Sequence, residues 1–189
     1  MKKRRVLSVV LAASMFAMLL TGCGGGNQGS AEGSQAAAIG QGVAEAESCI
    51  KIGVSGTPDL DPAIVNTGSS LIAAINIYDT LIFPSNEADE GVIPRVAEDW
   101  TISEDGLTYT FNLKKGIKFH NGDELTASDV VYSMDRLLTI GEGYAYIFTS
   151  YVEPGTTVAV DDYTVEFHLK QAYGPFINAL VRLYILNED

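Results

Sequence analysis

The chain has 189 residues, with 12 Lys and Arg against 24 Asp and Glu and a net charge of −12. A surface this acidic repels phosphates, which argues against a nucleic-acid partner. The only cysteines are Cys23 and Cys49, and no Cys/His pair has the spacing of a zinc site.

Lys2 to Arg5 are basic, and Val6 to Leu20 is an uncharged apolar run of 15 residues. Thr21, Gly22 and Cys23 follow. A basic start, a short apolar core and small residues at the cut are the layout of an export signal. The run is shorter than the roughly 20 residues that a spanning helix needs. Leu20-Thr21-Gly22-Cys23 resembles a bacterial lipobox, in which the peptidase cuts before cysteine and the thiol carries lipid. Cys23 is therefore the expected lipidation site. Two or more acyl chains would give stable anchoring at about 0.8 kcal/mol per buried CH₂. Cys49 then has no partner for an intrachain disulfide, and the reading for it is a small buried hydrophobe. Removing residues 1–22 takes away four basic residues and no acidic ones. That leaves 8 Lys and Arg against 24 Asp and Glu.

Residues 23–48 are rich in Gly, Ser, Ala and Gln and lack aromatics. Such a stretch buries too little surface to order itself, and it reads as a tether. Cys49 to Ser55 alternates Ile50, Ile52 and Val54 with polar residues, the pattern of a strand. Thr57 to Pro62 breaks it. Ser69 to Thr80 carries Leu71, Ile72, Ile75 and Tyr78 at helical spacing, with Ser69 or Ser70 as the expected N-cap. Leu81 to Phe83 reads as a short strand, and Glu87 to Glu90 as a polar loop.

A β-meander is expected next: Trp100 to Ser103, a turn at Glu104-Asp105-Gly106, Leu107 to Leu113, then Ile117 to Phe119. Asn121-Gly122 is a strong turn signal. Thr126-Ala127-Ser128-Asp129 fits a capping box, and the helix it starts ends near Gly141. Gly141 to Pro154 is rich in Gly and aromatics. Thr157 to Val160 and Tyr163 to Leu169 form a hairpin across Asp161-Asp162. Pro175 opens a last helix. Strands and helices mix without βαβ regularity, so the class is α+β.

His120 could act as a base with Asp123 or Glu124, or it could be a strand-end imidazole without chemistry. His168 lies on the polar face of its strand. The acidic pairs Glu98/Asp99, Glu104/Asp105 and Asp161/Asp162 fall in turns or on opposite strand faces, which does not suit a glycosidase pair. No phosphate loop, dinucleotide fingerprint or Gly-x-Ser-x-Gly occurs. Tyr144, Tyr146, Phe148 and Tyr151 could stack on a ligand or form a buried cluster. Alternatives to a binding protein are a secreted hydrolase using His120, or a small lipoprotein with a protein-contact role.

The run "RVAEDWTISEDGLTYTFNLKKGIKFHNGDELTASDVVYSMDRL", Arg95 to Leu137, closely resembles the signature region of the family 5 extracellular solute-binding proteins. These are the peptide/nickel class of ABC-importer receptors. Leu60-Asp61-Pro62, Tyr78-Asp79-Thr80-Leu81, Val158 to Leu169 and Pro175-Phe176 fit the same pattern in order. The resemblance spans roughly residues 50–186.

It implies a class II periplasmic-binding-protein-like fold, α+β, with only part of the receptor present. Residues 1–22 would be signal and 23–48 tether. Residues 49–83 would begin the first lobe, and 84–189 would be the inserted domain. The first lobe is then expected to lack strand partners. The resemblance implies no enzyme activity, cofactor or metal. It implies a monomer that captures an oligopeptide, dipeptide or similar solute and hands it to ABC permease subunits. The protein would sit outside the cytoplasm, held at the membrane by lipid. In the family the loop after Leu-Asp-Pro lines the cleft. That loop is here Asn66-Thr67-Gly68-Ser69, which makes these four residues the expected ligand contacts. The principal specificity residues should lie in the opposing lobe.

Overall fold

The computed structural model describes residues 50–88 and 91–189. The export signal, Cys23, the tether and Cys49 lie outside the described residues. Within them the elements run α1 (Gly68–Ile77), β1 (Ile82–Pro84), β2 (Val92–Pro94), β3 (Ala97–Ile102), β4 (Thr108–Leu113), α2 (Ala127–Ile140), β5 (Thr157–Asp161), β6 (Thr164–His168) and α3 (Phe176–Ala179). Single 3-10 turns occupy Ala145–Ile147 and Leu180–Arg182.

The core is an antiparallel sheet in the order β3-β4-β6-β5 with α2 packed against β5 and β6. Alternation decides which face is covered. Tyr109, Phe111 and Leu113 of β4 and Val165 and Phe167 of β6 are all buried. The register sets Tyr109 opposite Phe167 and Phe111 opposite Val165. Such cross-strand pairs contribute about 0.2–1 kcal/mol each. Phe176 of α3 closes the cluster, with ring centroids 4.8 Å from Tyr109 and 5.7 Å from Phe167. Val130, Met134, Leu137 and Leu138 of α2 bury at helical spacing on the same core.

The capping box at the start of α2 forms as expected. Thr126 donates to Asp129 Oδ2 from its backbone N–H at 2.8 Å and from its hydroxyl at 3.1 Å. The helix ends at Gly141, whose φ of 72° takes the left-handed conformation that favours glycine.

Asp129 has a second use that its sequence context does not announce. Its other oxygen accepts the Glu188 N–H at 3.0 Å. One turn on, the Ser133 hydroxyl donates to the Asp129 carbonyl at 2.6 Å and accepts the Leu186 N–H at 2.8 Å. The C-terminal segment is thus docked along α2. It also bridges back to Thr80 through Tyr184, and the Ile185 N–H donates to the Asp79 carbonyl at 2.9 Å.

Several expectations need correction. Residues 50–54 form no strand, and Ile50 and Ile52 are exposed. Alternation supplies one apolar face, but a strand also needs a neighbour to take its backbone hydrogen bonds. Ile117 to Phe119 is not a third meander strand: Lys118 only bridges Glu124 around the Asn121-Gly122 turn. β4 pairs instead with β6, which comes much later in the chain. The pairing of β1 with β2 has no forecast, because two three-residue strands carry almost no periodicity. The last helix has only four residues before it tightens into a 3-10 turn.

Asp129→Ala should destabilise the protein by about 1–3 kcal/mol, since it removes the capping-box carboxylate and leaves the part-buried Thr126 and Glu188 N–H groups without that acceptor. Urea unfolding followed by circular dichroism measures the loss. Amide exchange should show the Glu188 N–H losing protection along with the start of α2.

Candidate functional site

The loop expected to meet a ligand runs from Asp61 into α1. Thr67 caps the helix, not Ser69 or Ser70. Its backbone is extended (φ −114°, ψ 157°) and its hydroxyl accepts the Ser70 N–H at 3.2 Å. Ser69 and Ser70 already belong to the first helical turn and point inward. The Ser69 hydroxyl donates to the Ser55 carbonyl at 3.1 Å, and the Ser70 hydroxyl accepts the Asp59 N–H at 2.9 Å. Asn66, Thr67 and Gly68 are exposed, whereas Ser69 is buried. Of the four expected contacts, three stand at the surface together and the fourth serves the chain's own backbone. A Cβ added at Gly68 would meet nothing within 4 Å.

α1 turns its small residues inward. Ser69, Ser70 and Ala74 are buried, while Ile72, Ile75 and Ile77 are exposed. Ile72 and Ile75, which belong to the helically spaced apolar set, are therefore left uncovered among the described residues. Helical spacing identifies an apolar stripe, but not whether the chain at hand covers it.

Asp61 anchors the loop. Its carboxylate accepts two hydrogen bonds from Arg136 of α2, Nη1 to Oδ1 and Nη2 to Oδ2, both at 2.7 Å. It also accepts the Ala63 N–H at 3.0 Å. The Arg136 hydrogen bonds, helped by the Ala63 N–H and opposed by partial burial, hold the Asp61 carboxyl below its ordinary pKa. The same hydrogen bond raises that of Arg136. The Tyr78 hydroxyl donates to the Leu60 carbonyl at 2.9 Å, and burial, then the Asp61 charge, raises its pKa. Sequence reading does not single out Arg136, because 75 residues separate it from Asp61.

His120 is exposed. The carboxylates proposed to serve it are engaged elsewhere. Asp123 accepts from the side chains of Asn121 and Asn187, and Glu124 accepts the Gly116 N–H at 2.9 Å and the Tyr163 hydroxyl at 2.7 Å. Among the described residues no ion pair includes His120, and no group of three or more His, Cys, Asp or Glu side chains could hold a metal ion. His168 is exposed on its strand, where Glu166 lies 3.4 Å from Nε2. The aromatic run divides. Phe148 is fully buried, Tyr146 is exposed, and Tyr151 stacks on Tyr173 with centroids 3.9 Å apart. An apolar cavity of about 370 Å³ lies between the end of α1, the loop at Ile117 to Asn121 and the C-terminal segment. Asn66 to Ser69 do not line it.

The profile of the bacterial extracellular solute-binding proteins, family 5 (middle), matches residues 91–188, just over half of the chain. The chain belongs to this family. It is 36% identical to a dipeptide-binding protein of Escherichia coli K12, over 65% of this chain and 26% of that one. It is 32% identical to di/tripeptide-binding protein 1 of Pseudomonas aeruginosa, over 64% of this chain and 25% of that one. Among solved structures it is similar to the periplasmic binding protein DppA of Helicobacter pylori in complex with the peptide STSA. There the TM-score is 0.57 and the identity 33%, over 69% of this chain and 29% of that one. It is also similar to Haemophilus influenzae OppA in complex with the peptide RPPGFSPFR, with a TM-score of 0.61 and 25% identity, over 69% and 29%. The fold is thus that of family 5 binding proteins, and the chain spans about a quarter of the length of the curated relatives it matches.

The lowered Asp61 pKa makes a signed prediction. A carboxyl whose pKa is lower folded than unfolded adds stability that is fully present above the unfolded value. It loses that contribution as pH falls through the folded value. The stability gap between wild type and Asp61→Asn should be open at pH 6. It should begin to close below the ordinary carboxyl value of about 3.9. Urea unfolding across that range measures it.

Proposed function

We propose that this chain is the solute-capturing component of an ABC importer, a lipoprotein held outside the cytoplasmic membrane through Cys23. It binds peptides or a related solute as a monomer and delivers them to the permease. It acts as a binding protein, not a catalyst. The observation that carries this reading is the family match over residues 91–188, to which the peptide-binding names of the relatives add the solute class. The engagement of Asp123 and Glu124 away from His120 supports binding over hydrolysis.

On this reading residues 49–83 belong to the first lobe and 84–189 to an inserted domain. The exposed isoleucines of α1 suit packing against the remainder of a receptor of the relatives' length. Asn66 and Thr67 stand at the solute. A carboxamide and a hydroxyl can each donate to and accept from the backbone of an extended peptide. Gly68 lets that backbone come close.

The test is thermal unfolding of the complete gene product with dipeptides, tripeptides and glutathione. A bound peptide at 100 times its Kd should add about 2.7 kcal/mol of stability. No shift with any of the three classes would count against a peptide receptor. Gly68→Ala separates the site from the scaffold. Nothing in the chain crowds a Cβ there, so stability should change by no more than about 1 kcal/mol, in the stabilising direction. Peptide affinity should fall at least several-fold. Thermal unfolding reads the first half and calorimetric titration the second, and unchanged affinity would remove Gly68 from the site.

A further inference from the structure

The loop from Asp61 to Thr67 is held in place from outside itself, at two points. The first is Arg136. Its guanidinium fork grips both oxygens of Asp61, and Asp61 Oδ1 is also the acceptor that turns the chain at Ala63. Fixing the carboxylate therefore fixes the turn. The second is Gly143, two residues beyond the Gly141 cap of α2. A Cβ at Gly143 would lie 2.7 Å from the Ala63 carbonyl oxygen and 3.1 Å from the Val65 nitrogen. Its φ of +53° also disfavours a side chain. The backbone after α2 lies flat on the backbone of the loop, and Ala63 and Val65 are buried beneath the contact.

Both clamps come from one place, the last turns of α2 and the bend that follows. We propose that Arg136 and Gly143 are positioning residues that set where Asn66 and Thr67 stand. The structural half of this proposal rests on the contacts alone. Its functional half rests on the reading of Asn66 to Ser69 as solute contacts. The end of the signature helix then governs affinity without touching solute. The chemistry is specific: a lysine at position 136 keeps the charge but cannot offer two parallel N–H groups to one carboxylate. No residue larger than glycine fits at 143 without moving Ala63 or Val65.

Amide hydrogen exchange on the wild type, Arg136→Lys, Arg136→Met and Gly143→Ala tests it, with calorimetric titration of trialanine in parallel. In Arg136→Met and Gly143→Ala the amides of Ala63, Ile64, Ser70 and Leu71 should exchange at least tenfold faster. Those of β4 and β6 should be unchanged, and trialanine should bind at least fivefold more weakly. Arg136→Lys should fall between wild type and Arg136→Met. Unchanged loop exchange in Arg136→Met and Gly143→Ala would overturn the proposal. So would equal acceleration of the sheet, which would make the contacts general supports of the fold. A loosened loop with unaltered trialanine affinity would overturn its functional half. A wild type that does not bind trialanine would count against the peptide reading alone, and the loop exchange would still decide the positioning.

Discussion

The carboxylate of Asp129 is the point on which the separate parts of the molecule converge. A buried charge is costly unless its oxygens are hydrogen-bonded, and Asp129 is 5% exposed with both oxygens engaged. One oxygen starts α2, and the other receives the far end of the chain. With Ser133 one turn along, it makes a polar rail on an otherwise apolar helix face. The C-terminal segment docks there while its preceding residues pair with Asp79 and Thr80. Helix, C-terminal segment and the end of α1 are thereby tied through a few hydrogen bonds at one edge of the aromatic core.

That core sets the limits of what else the fold can do. Phe111, Phe148, Phe167 and Phe176 are all fully buried, with edge-to-face contacts linking them. Such packing leaves the sheet and α2 as a stiff platform. The polar chemistry is pushed to the loops at its margin. His120, the Glu104-Asp105 pair and the Asn121-Gly122 turn all lie there, while Glu98 and Asp99 sit on the edge strand β3 and Asp161 ends β5. The stretch from Gly116 to Met134, dense in groups that could do chemistry, is a turn and a capped helix that support the fold.

The loop leading into α1 is different in kind. Its anchors are distant in sequence, while Asn66 and Thr67 remain open to solvent. A rigid platform with a short exposed polar loop pinned to it is the arrangement expected where a binding surface must keep its shape before the ligand arrives. The exposed isoleucines of α1 lie on the same helix that Thr67 caps. One short element thus joins a polar rim to an apolar face.

The sequence by itself determined what depends on near neighbours. Thr126 and Asp129 specify a helix start three residues apart, Gly141 its end, Asn121-Gly122 a turn, and the alternation of Tyr109, Phe111 and Leu113 a buried strand face. Together these motifs made the family legible. Tertiary structure decided what depends on which partner is present. Residues 50–54 have the pattern of a strand but no strand neighbour among the described residues, and they form none there. Ile117 to Phe119 lose the third place in the sheet to β6. Ile72 and Ile75 carry a core pattern and face outward. Arg136 carries no local signal, because its carboxylate sits 75 residues away. Periodicity and capping are local properties of a chain. Pairing, coverage and long-range ion pairs exist only once the backbone has closed on itself.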